Sequence, residues 1–391
     1  MSEVTQATAE TKEASEKKQS PFKNGKVNWH RCHVDRAVMK ELMKQSNVRP
    51  LIHVMTQLGL TMLSGALSWY ILVHIDLANW FWTIPLLALA LFVHGTFYSF
   101  MGAGGPVHEL SHKTAFKSKA LNEFILQVYS LLSYADYIGF RASHVRHHQV
   151  TVHKDYDGEV VLPQSVDKKT FIRAFFPLYT SFKWAWISTW IRAKGETLND
   201  WERKVVDEGA PGLKERQTKW ARTILIGHSL IIVAYILAAF LVHWSFLVLF
   251  FLITAAPHLN WWLALLCGFP QHVGLTPNSR DFRLCCRTYT VSWLPRLLYW
   301  HMNYHVEHHM YPGVPFYNLG RLREAMKADL PPCEKGLWNT WKEIMETVKR
   351  QKEDPNYVFL PLIPEGSEKH LEDSEISVAE TEGIEAPGIP A

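Results

Sequence analysis

The sequence predicts an all-α integral membrane protein in which four transmembrane helices carry a cytosolic helical cap, and the cap holds a histidine-rich metal site. Two observations support this fold class. Long stretches of the 391-residue chain contain no charged residue, and its 20 histidines include three tight clusters near the ends of those stretches. Uncharged runs of this length are typical of membrane spans, because a helix needs about 20 apolar residues to cross a bilayer.

Both ends of the chain are predicted to be disordered tails. Residues 1–27 are polar and lack the apolar core of a signal peptide, so we expect the first membrane helix to act as the targeting element. Residues 364–391 are acidic and poor in aromatic residues, and they cannot bury enough apolar surface to become ordered. The predicted membrane domain therefore comprises residues 28–363.

Apolar segments within this domain predict the spans. No Asp, Glu, Lys or Arg occurs over residues 77–108 or over residues 223–279, and the second run is long enough for two helices. A buried soluble core is the competing interpretation, but uncharged runs of this length favour a membrane. The predicted transmembrane helices lie near residues 51–73, 80–102, 223–243 and 245–267.

The distribution of lysine and arginine predicts the orientation. The short connections at residues 74–79 and 243–244 contain neither residue, so the positive charges lie in the other non-membrane segments. By the positive-inside rule, both termini and all three histidine clusters face the cytosol. We expect a multi-pass protein of the endoplasmic reticulum in a eukaryote, or of the inner membrane in a bacterium.

Charge and cysteine content restrict the partners. The net charge of +4 is spread along the chain without a basic block, which weakly favours an anionic membrane surface and argues against a nucleic acid partner. Five cysteines are an odd number, which fits a reducing compartment better than a disulfide framework.

Two further segments are apolar but interrupted by charge. Residues 121–140 contain Glu123 and Asp136, and they predict a re-entrant or interfacial helix. Residues 171–193 alternate aromatic with basic side chains. This pattern is typical of a helix in the lipid headgroup layer, although a helix packed in the cytosolic domain fits it equally well.

The histidine clusters have the spacing of metal ligands. Residues three or four apart on an α-helix lie on one face, so each cluster can bind metal from a single helical face. One zinc ion needs only three or four protein ligands, which makes two metal ions the simpler interpretation. The clusters are HELSH (His108 and His112), HVRHH (His144, His147 and His148) and HVEHH (His305, His308 and His309).

In this order, and separated by a long polar segment and a helix pair, the clusters resemble the three-box signature of the membrane fatty acid desaturase and hydroxylase superfamily over roughly residues 50–330. The resemblance implies a cytosolic di-iron centre that activates O2 to attack an unactivated C–H bond. Gly268 occupies a position at which some members carry an asparagine ligand. The implied iron ligands are His108, His112, His144, His147, His148, His305, His308 and His309, with His272 of FPQHVG as a ninth.

Carboxylates near the clusters are candidates for supporting catalysis. Glu109 and Glu307 lie inside boxes and are predicted to orient ligand histidines by accepting their N–H groups, as carboxylates next to metal sites commonly do. Asp155, Asp157 and Glu159 follow the second box, where a solvated acidic loop is the alternative interpretation.

For several other polar residues, two interpretations remain open. Asn303 either supports the site or caps a turn, and His258 either lines a substrate channel or is structural. His153 is a second such histidine. Three arginines after the fourth span could meet the phosphates of a headgroup or simply follow the positive-inside rule. They are Arg280, Arg283 and Arg287.

We therefore expect an oxidoreductase, most simply a desaturase of a fatty acyl chain or lipid-like metabolite, with a hydroxylase or epoxidase as the near alternative. The sequence around the second box also resembles a branch of the family that includes a desaturase of an amino-acid-like metabolite. Electrons would come from an external donor, either cytochrome b5 with its reductase or a ferredoxin, because no dinucleotide fingerprint or haem-binding HPGG segment occurs.

Two rival classes remain at this point. HELSH also fits the HExxH motif of a zinc intramembrane metalloprotease, with Glu109 as general base, but this leaves the other two boxes without a purpose. In a membrane receptor or metal transporter we would expect polar groups along the membrane-spanning segments. The histidine boxes of this chain instead lie on one side of the predicted membrane.

Overall fold

Nearly all regular structure in the computed structural model is helical, as predicted. The exception among the described residues is a pair of antiparallel β-strands of two residues each, Phe22–Lys23 and Lys26–Val27. The tails predicted at residues 1–27 and 364–391 lie for the most part outside the described residues. The structure describes residues 22–23, 26–164, 166–333 and 335–367.

The helices follow the chain in this order. The α-helices are α1 (Arg36–Leu42), α2 (Val48–Val73), α3 (Trp80–Ser99), α4 (Pro106–Ser111), α5 (Lys119–Leu132), α6 (Tyr137–Val150), α7 (Lys168–Phe175), α8 (Leu178–Ala193), α9 (Asp200–Glu202), α10 (Leu213–Leu241), α11 (Trp262–Gly268), α12 (Phe282–Cys285), α13 (Trp293–Leu298), α14 (His305–Met310), α15 (Leu319–Ala325) and α16 (Gly336–Arg350). The 3-10 or π-helical segments are Arg203–Asp207, Trp244–Val248, Phe250–Thr254, Ala256–His258, Phe269–Gln271 and Phe316–Asn318.

Three helices are long and apolar enough to cross a membrane, namely α2, α3 and α10. They contain most of the predicted spans 51–73, 80–102 and 223–243. Large apolar side chains point outward from them, for example Met62 at 74% exposure and Phe240 at 86%. Such outward apolar faces are expected where lipid covers the protein.

The fourth predicted span, residues 245–267, is not a single helix. Short 3-10 and π-helical segments precede α11, and Pro257 lies where a regular helix would need its N–H group. The side chain of Asn260 turns to α3, where Nδ2 donates to the carbonyl oxygen of Phe92 at 2.8 Å and Oδ1 accepts from Thr96 at 3.0 Å. The prediction of one continuous helix is therefore wrong. It rested on the apolar composition of the segment and did not take Pro257 and Asn260 into account.

The two interrupted apolar segments are also divided. Residues 121–140 form most of α5 and the start of α6 instead of one helix, and Asp136 caps α6 by accepting from the backbone N–H of Gly139 at 3.1 Å. Residues 171–193 divide at Pro177 into α7 and α8, and α8 packs along α10. Proline ends the first helix because it has no N–H to continue the hydrogen-bond ladder.

A tight turn places the first histidine box beside the end of α3. A Cβ atom on Gly105 would lie 2.5 Å from the carbonyl oxygen of Phe100, so only glycine allows this approach. Pro106 then begins α4, the helix of the first box. A buried core that includes Leu110, Tyr129 and Trp300 joins this region to α5 and to the chain before the third box.

Candidate metal centre

All nine predicted histidines come together in the structure, in two groups. The boxes lie on α4, α6 and α14, and His272 directly follows the 3-10 segment Phe269–Gln271. Within each group, the candidate ligand nitrogens lie within 4.8 Å of one another. The five-histidine group contains His108, His112, His144, His148 and His308, and the four-histidine group contains His147, His272, His305 and His309.

Helical spacing explains how one box supplies both groups. On α6, His144 and His148 are four residues apart and share the five-histidine group, whereas His147 joins the other group. On α14, His305 and His309 share the four-histidine group, and His308 joins the first. The two groups are therefore adjacent, and the rings of His148 and His309 stack with their centroids 4.3 Å apart.

The ring nitrogens are arranged to surround cations. In the five-histidine group, Nε2 of His148 lies 3.0 Å from Nε2 of His144 and 3.2 Å from Nε2 of His308. In the other group, Nε2 of His305 lies 2.8 Å from Nε2 of His272 and 3.0 Å from Nε2 of His309. A neutral imidazole carries only one N–H, so hydrogen bonds among the rings cannot satisfy every nitrogen.

Several ring nitrogens of the two groups have no hydrogen-bond partner among the described residues. They include Nε2 of His108 and Nε2 of His112, which are both buried. Unsatisfied buried polar atoms are costly, and a bound cation would remove that cost. The donor set of imidazole nitrogens suits iron, zinc, copper or nickel, so the nine residues fit a pair of transition metal ions.

Burial keeps eight of the nine histidines in the neutral form that binds metal. Removal from water lowers the pKa of His112 and of His272 to about 3, with neighbouring positive groups adding to the effect. Burial likewise lowers the pKa values of six others well below the usual value, so these rings are neutral at pH 7. They are His108, His144, His148, His305, His308 and His309.

Carboxylates hold three of these rings by Nδ1. The distances between ring nitrogen and carboxylate oxygen are 3.0 Å for His108 with Glu109, 2.7 Å for His147 with Asp157 and 2.7 Å for His144 with Glu159. Such contacts fix the ring orientation and increase the basicity of the nitrogen that faces the metal. The predicted partner Glu109 therefore contacts a box histidine, and so do two of the three acidic residues after the second box. The remaining one, Asp155, is exposed.

Asp157 is built firmly into its loop. Its carboxylate accepts from the backbone N–H groups of Val152 at 2.8 Å and Glu159 at 2.9 Å while it contacts His147. Burial by itself raises the pKa of Asp157, but His147 and the backbone N–H groups outweigh burial, and the pKa is lowered. For His147 burial lowers the pKa, and the Asp157 carboxylate reverses the direction, so the pKa is raised. Asp157 is therefore an anion beside the four-histidine group.

Sequence reasoning missed two partners of the histidines. The hydroxyl group of Thr151 lies 3.2 Å from Nδ1 of His309, and the backbone carbonyl oxygen of Cys285 lies 2.8 Å from Nδ1 of His272. A carbonyl group belongs to every residue, so no sequence pattern could identify the second contact. Thr151 lies three residues after the second box in sequence, but only the fold brings it beside the third box.

Glu307 has different partners from those predicted. Its carboxylate accepts from the guanidinium group of Arg323 at 2.6 Å and from the hydroxyl group of Thr288 at 2.5 Å. The hydroxyl oxygen of Thr288 in turn accepts from the backbone N–H of Val306 at 3.1 Å. Glu307 thus ties α14 to α15 and to the chain after α12, and it positions the third box through the backbone.

We expect Arg323→Met to destabilise the protein by about 3–5 kcal/mol, because it leaves the Glu307 carboxylate buried without its cation. Thermal unfolding of the purified protein in detergent would measure the loss. The double variant Arg323→Met with Glu307→Gln should recover much of the stability, since it removes the unpaired charge as well. A double variant less stable than Arg323→Met would contradict this account.

The remaining candidates are structural in this arrangement. Arg283 is buried against the carboxylate of Asp281, and Arg287 against Glu343, so neither presents a free cation to a phosphate. Arg280 is exposed. The side-chain amide of Asn303 donates to the carbonyl oxygen of Tyr289 at 2.9 Å, and this hydrogen bond joins two chain segments near the third box. For His153, Nδ1 lies 3.0 Å from the carbonyl oxygen of Thr151.

Long apolar helices beside two adjacent groups of buried histidines define a membrane-associated class of protein that can bind two metal ions. The model of one protein family, Fatty acid desaturase, matches residues 81–341 of this chain. The chain therefore belongs to the fatty acid desaturase family, within the membrane fatty acid desaturase and hydroxylase superfamily of di-iron-dependent enzymes. No curated relative matches the chain.

Proposed function

We propose that the protein is an O2-dependent di-iron desaturase that introduces a double bond into a fatty acyl chain or a lipid-like metabolite. The observation that carries this proposal is the division of nine histidines, seven buried and two half-buried, into two adjacent groups of five and four in a member of the desaturase family. The zinc protease alternative has little support, because His108 and His112 share their group with three further histidines, more than one zinc ion requires.

In this proposal the nine histidines hold two iron ions, which supply O2 activation for removing hydrogen from a methylene group. The protein provides ring orientation through Glu109, Asp157 and Glu159. The ring of Phe140 stacks on His144 with centroids 5.1 Å apart, and Phe282 lies 5.4 Å from His309. In this proposal these two rings would help to limit the access of water to the centre.

Hydroxylation or epoxidation is the alternative on the same scaffold, and the mass of the product tests the choice. Lipids and metabolites would be profiled by mass spectrometry in a host that expresses the wild type and in a host that expresses His308→Ala. A wild-type-specific product that lacks two hydrogens would support desaturation. A product that gains one oxygen would overturn it in favour of the alternative.

The proposal includes an external electron donor. Desaturation with O2 consumes two electrons beyond those of the substrate, and we expect cytochrome b5 with its reductase, or a ferredoxin, to deliver them. Purified protein with substrate and O2 should be inactive until one of these donors and its reductant are added. Turnover without any added donor would contradict this part of the proposal.

We further propose a four-span topology in which the divided segment after α10 returns to the side of the histidine boxes. Both termini then face the cytosol, in the endoplasmic reticulum of a eukaryote or the inner membrane of a bacterium. The distribution of lysine and arginine supports this orientation. Protease added to sealed vesicles with the cytosolic side outward should remove an epitope tag from the C-terminus, and a protected tag would refute the topology.

A further inference from the structure

A second group of polar side chains lies outside the metal centre, among the apolar helices. It is formed by Tyr134 between α5 and α6, Ser181 on α8, His228 on α10 and His258 in the 3-10 segment before α11. His228 is 0% exposed and His258 is 5% exposed. We call these four residues the polar cluster.

The rings of the polar cluster contact one another. Tyr134 stacks on His228 with centroids 3.8 Å apart and lies 5.4 Å from His258. The hydroxyl group of Tyr134 donates to the carbonyl oxygen of Thr254 at 3.1 Å, so the tyrosine is fixed. Both histidines therefore contact the same aromatic ring.

Each histidine has one nitrogen bonded and one nitrogen free. Nε2 of His228 lies 2.8 Å from the carbonyl oxygen of Leu131, and Nδ1 of His258 lies 2.7 Å from the hydroxyl oxygen of Ser181. Nδ1 of His228 and Nε2 of His258 are buried and have no partner among the described residues. Buried polar atoms without partners are rare, and inside a membrane such residues mark binding sites or transport routes.

The bonded nitrogens determine what the free nitrogens can recognise. A carbonyl oxygen only accepts, so Nε2 of His228 is the donor and Nδ1 of the neutral ring is an acceptor that needs a donor. The hydroxyl group of Ser181 can donate to Nδ1 of His258 or accept from it, so the free Nε2 of that ring can act toward a ligand as a donor or as an acceptor. A hydroxyl group suits either nitrogen, because it can both donate and accept a hydrogen bond.

The surroundings favour a neutral group over a charged one. Two aromatic side chains of α8 contact the cluster, because the ring of Phe182 lies 5.6 Å from that of His258 and the ring of Trp186 lies 5.9 Å from that of Tyr134. None of the contacts described for the cluster involves Lys, Arg, Asp or Glu. A charge placed there would lose its hydration without gaining a counter-ion.

We propose that the polar cluster binds a hydroxyl group on the substrate and so selects a hydroxylated lipid or lipid-like metabolite. This inference rests on the proposed function. Tyr134 lies three residues before the start of α6, and His144 lies seven residues into that helix, a rise of about 10 Å from Tyr137. A hydroxyl group held here would position a methylene elsewhere on the same chain at the metal centre.

Binding can be tested without turnover, using the purified full-length protein in detergent. Thermal unfolding would be followed with 1-hexadecanol, with 1-methoxyhexadecane and with hexadecane, which share an apolar chain but differ in hydrogen bonding. We expect only the alcohol to raise the midpoint clearly, because only its hydroxyl group can donate to His228. Equal shifts with all three probes, a shift with the ether that matches the alcohol, or no shift at all would overturn the proposal.

Variants of the cluster supply the second arm. His228→Phe and His258→Phe should each weaken 1-hexadecanol binding about tenfold, the factor expected for one lost buried hydrogen bond. Ser181→Ala should weaken 1-hexadecanol binding by a smaller factor, and it replaces a phenylalanine variant that does not fold. Unchanged alcohol binding in folded variants would refute the site. The metal-site variant His308→Ala should keep the alcohol shift while losing activity, so failure of this inference and failure of the proposed function can be told apart.

Discussion

Replacing Asp157 with asparagine is expected to weaken metal binding and lower the rate of product formation by about 10–100-fold, although no metal ligand is changed. The carboxylate contacts Nδ1 of His147 at 2.7 Å and accepts from three backbone N–H groups. Asparagine has the same shape but no charge, so the ring loses the partner that fixes its orientation and increases its basicity. Iron content by mass spectrometry and product yield would measure the two effects.

The same loop offers a matched control. Asp155 is exposed and adopts a backbone φ of 69°, a conformation that asparagine tolerates well. Asp155→Asn therefore removes the same charge two residues away without touching a histidine, and we expect wild-type iron content and activity. Similar losses in both variants would show that the net charge of the loop matters instead of the contact to His147.

The membrane helices show how far composition predicts this fold. Uncharged apolar runs correctly located α2, α3 and α10, because crossing a bilayer constrains composition along the whole helix. The same reasoning failed for residues 245–267. There Pro257 and Asn260 decide the backbone, and the partners of Asn260 lie on α3, far away in sequence. A single helix was predicted because composition averages over such residues.

The candidate site was more predictable than the fold around it. Ligand spacing on a helix is local information, so all nine histidines that the boxes and FPQHVG suggested come together in the structure. The supporting contacts depend on tertiary structure. Glu307 and Glu109 both lie inside histidine boxes, yet Glu307 binds Arg323 and Glu109 binds His108. Their different roles follow from which helix packs beside each box, and the box sequence does not contain that information.

Because the histidines form two groups, the loss of one ligand is expected to affect mainly one of the two metal ions. The largest effect is expected for such a ligand variant. His308 belongs to the five-histidine group, where its Nε2 lies 3.2 Å from Nε2 of His148. We expect His308→Ala to abolish product formation and to reduce bound iron from about two ions per chain to about one, since a pair of metal ions is needed for O2 activation and one ion loses a ligand. Iron content and product yield on the same preparations would measure both.

His305→Ala tests the other group, because Nε2 of His305 lies 2.8 Å from that of His272 and 3.0 Å from that of His309. It should also abolish activity and retain about one iron ion, now in the five-histidine group. The exposed His33 belongs to neither group, so His33→Ala should keep both the iron and the activity. If either ligand variant retained full iron content and turnover, the nine-histidine centre would not be the catalytic site. If each variant lost both ions, the groups would bind metal only as a unit, which the contact between His148 and His309 across the two groups would explain.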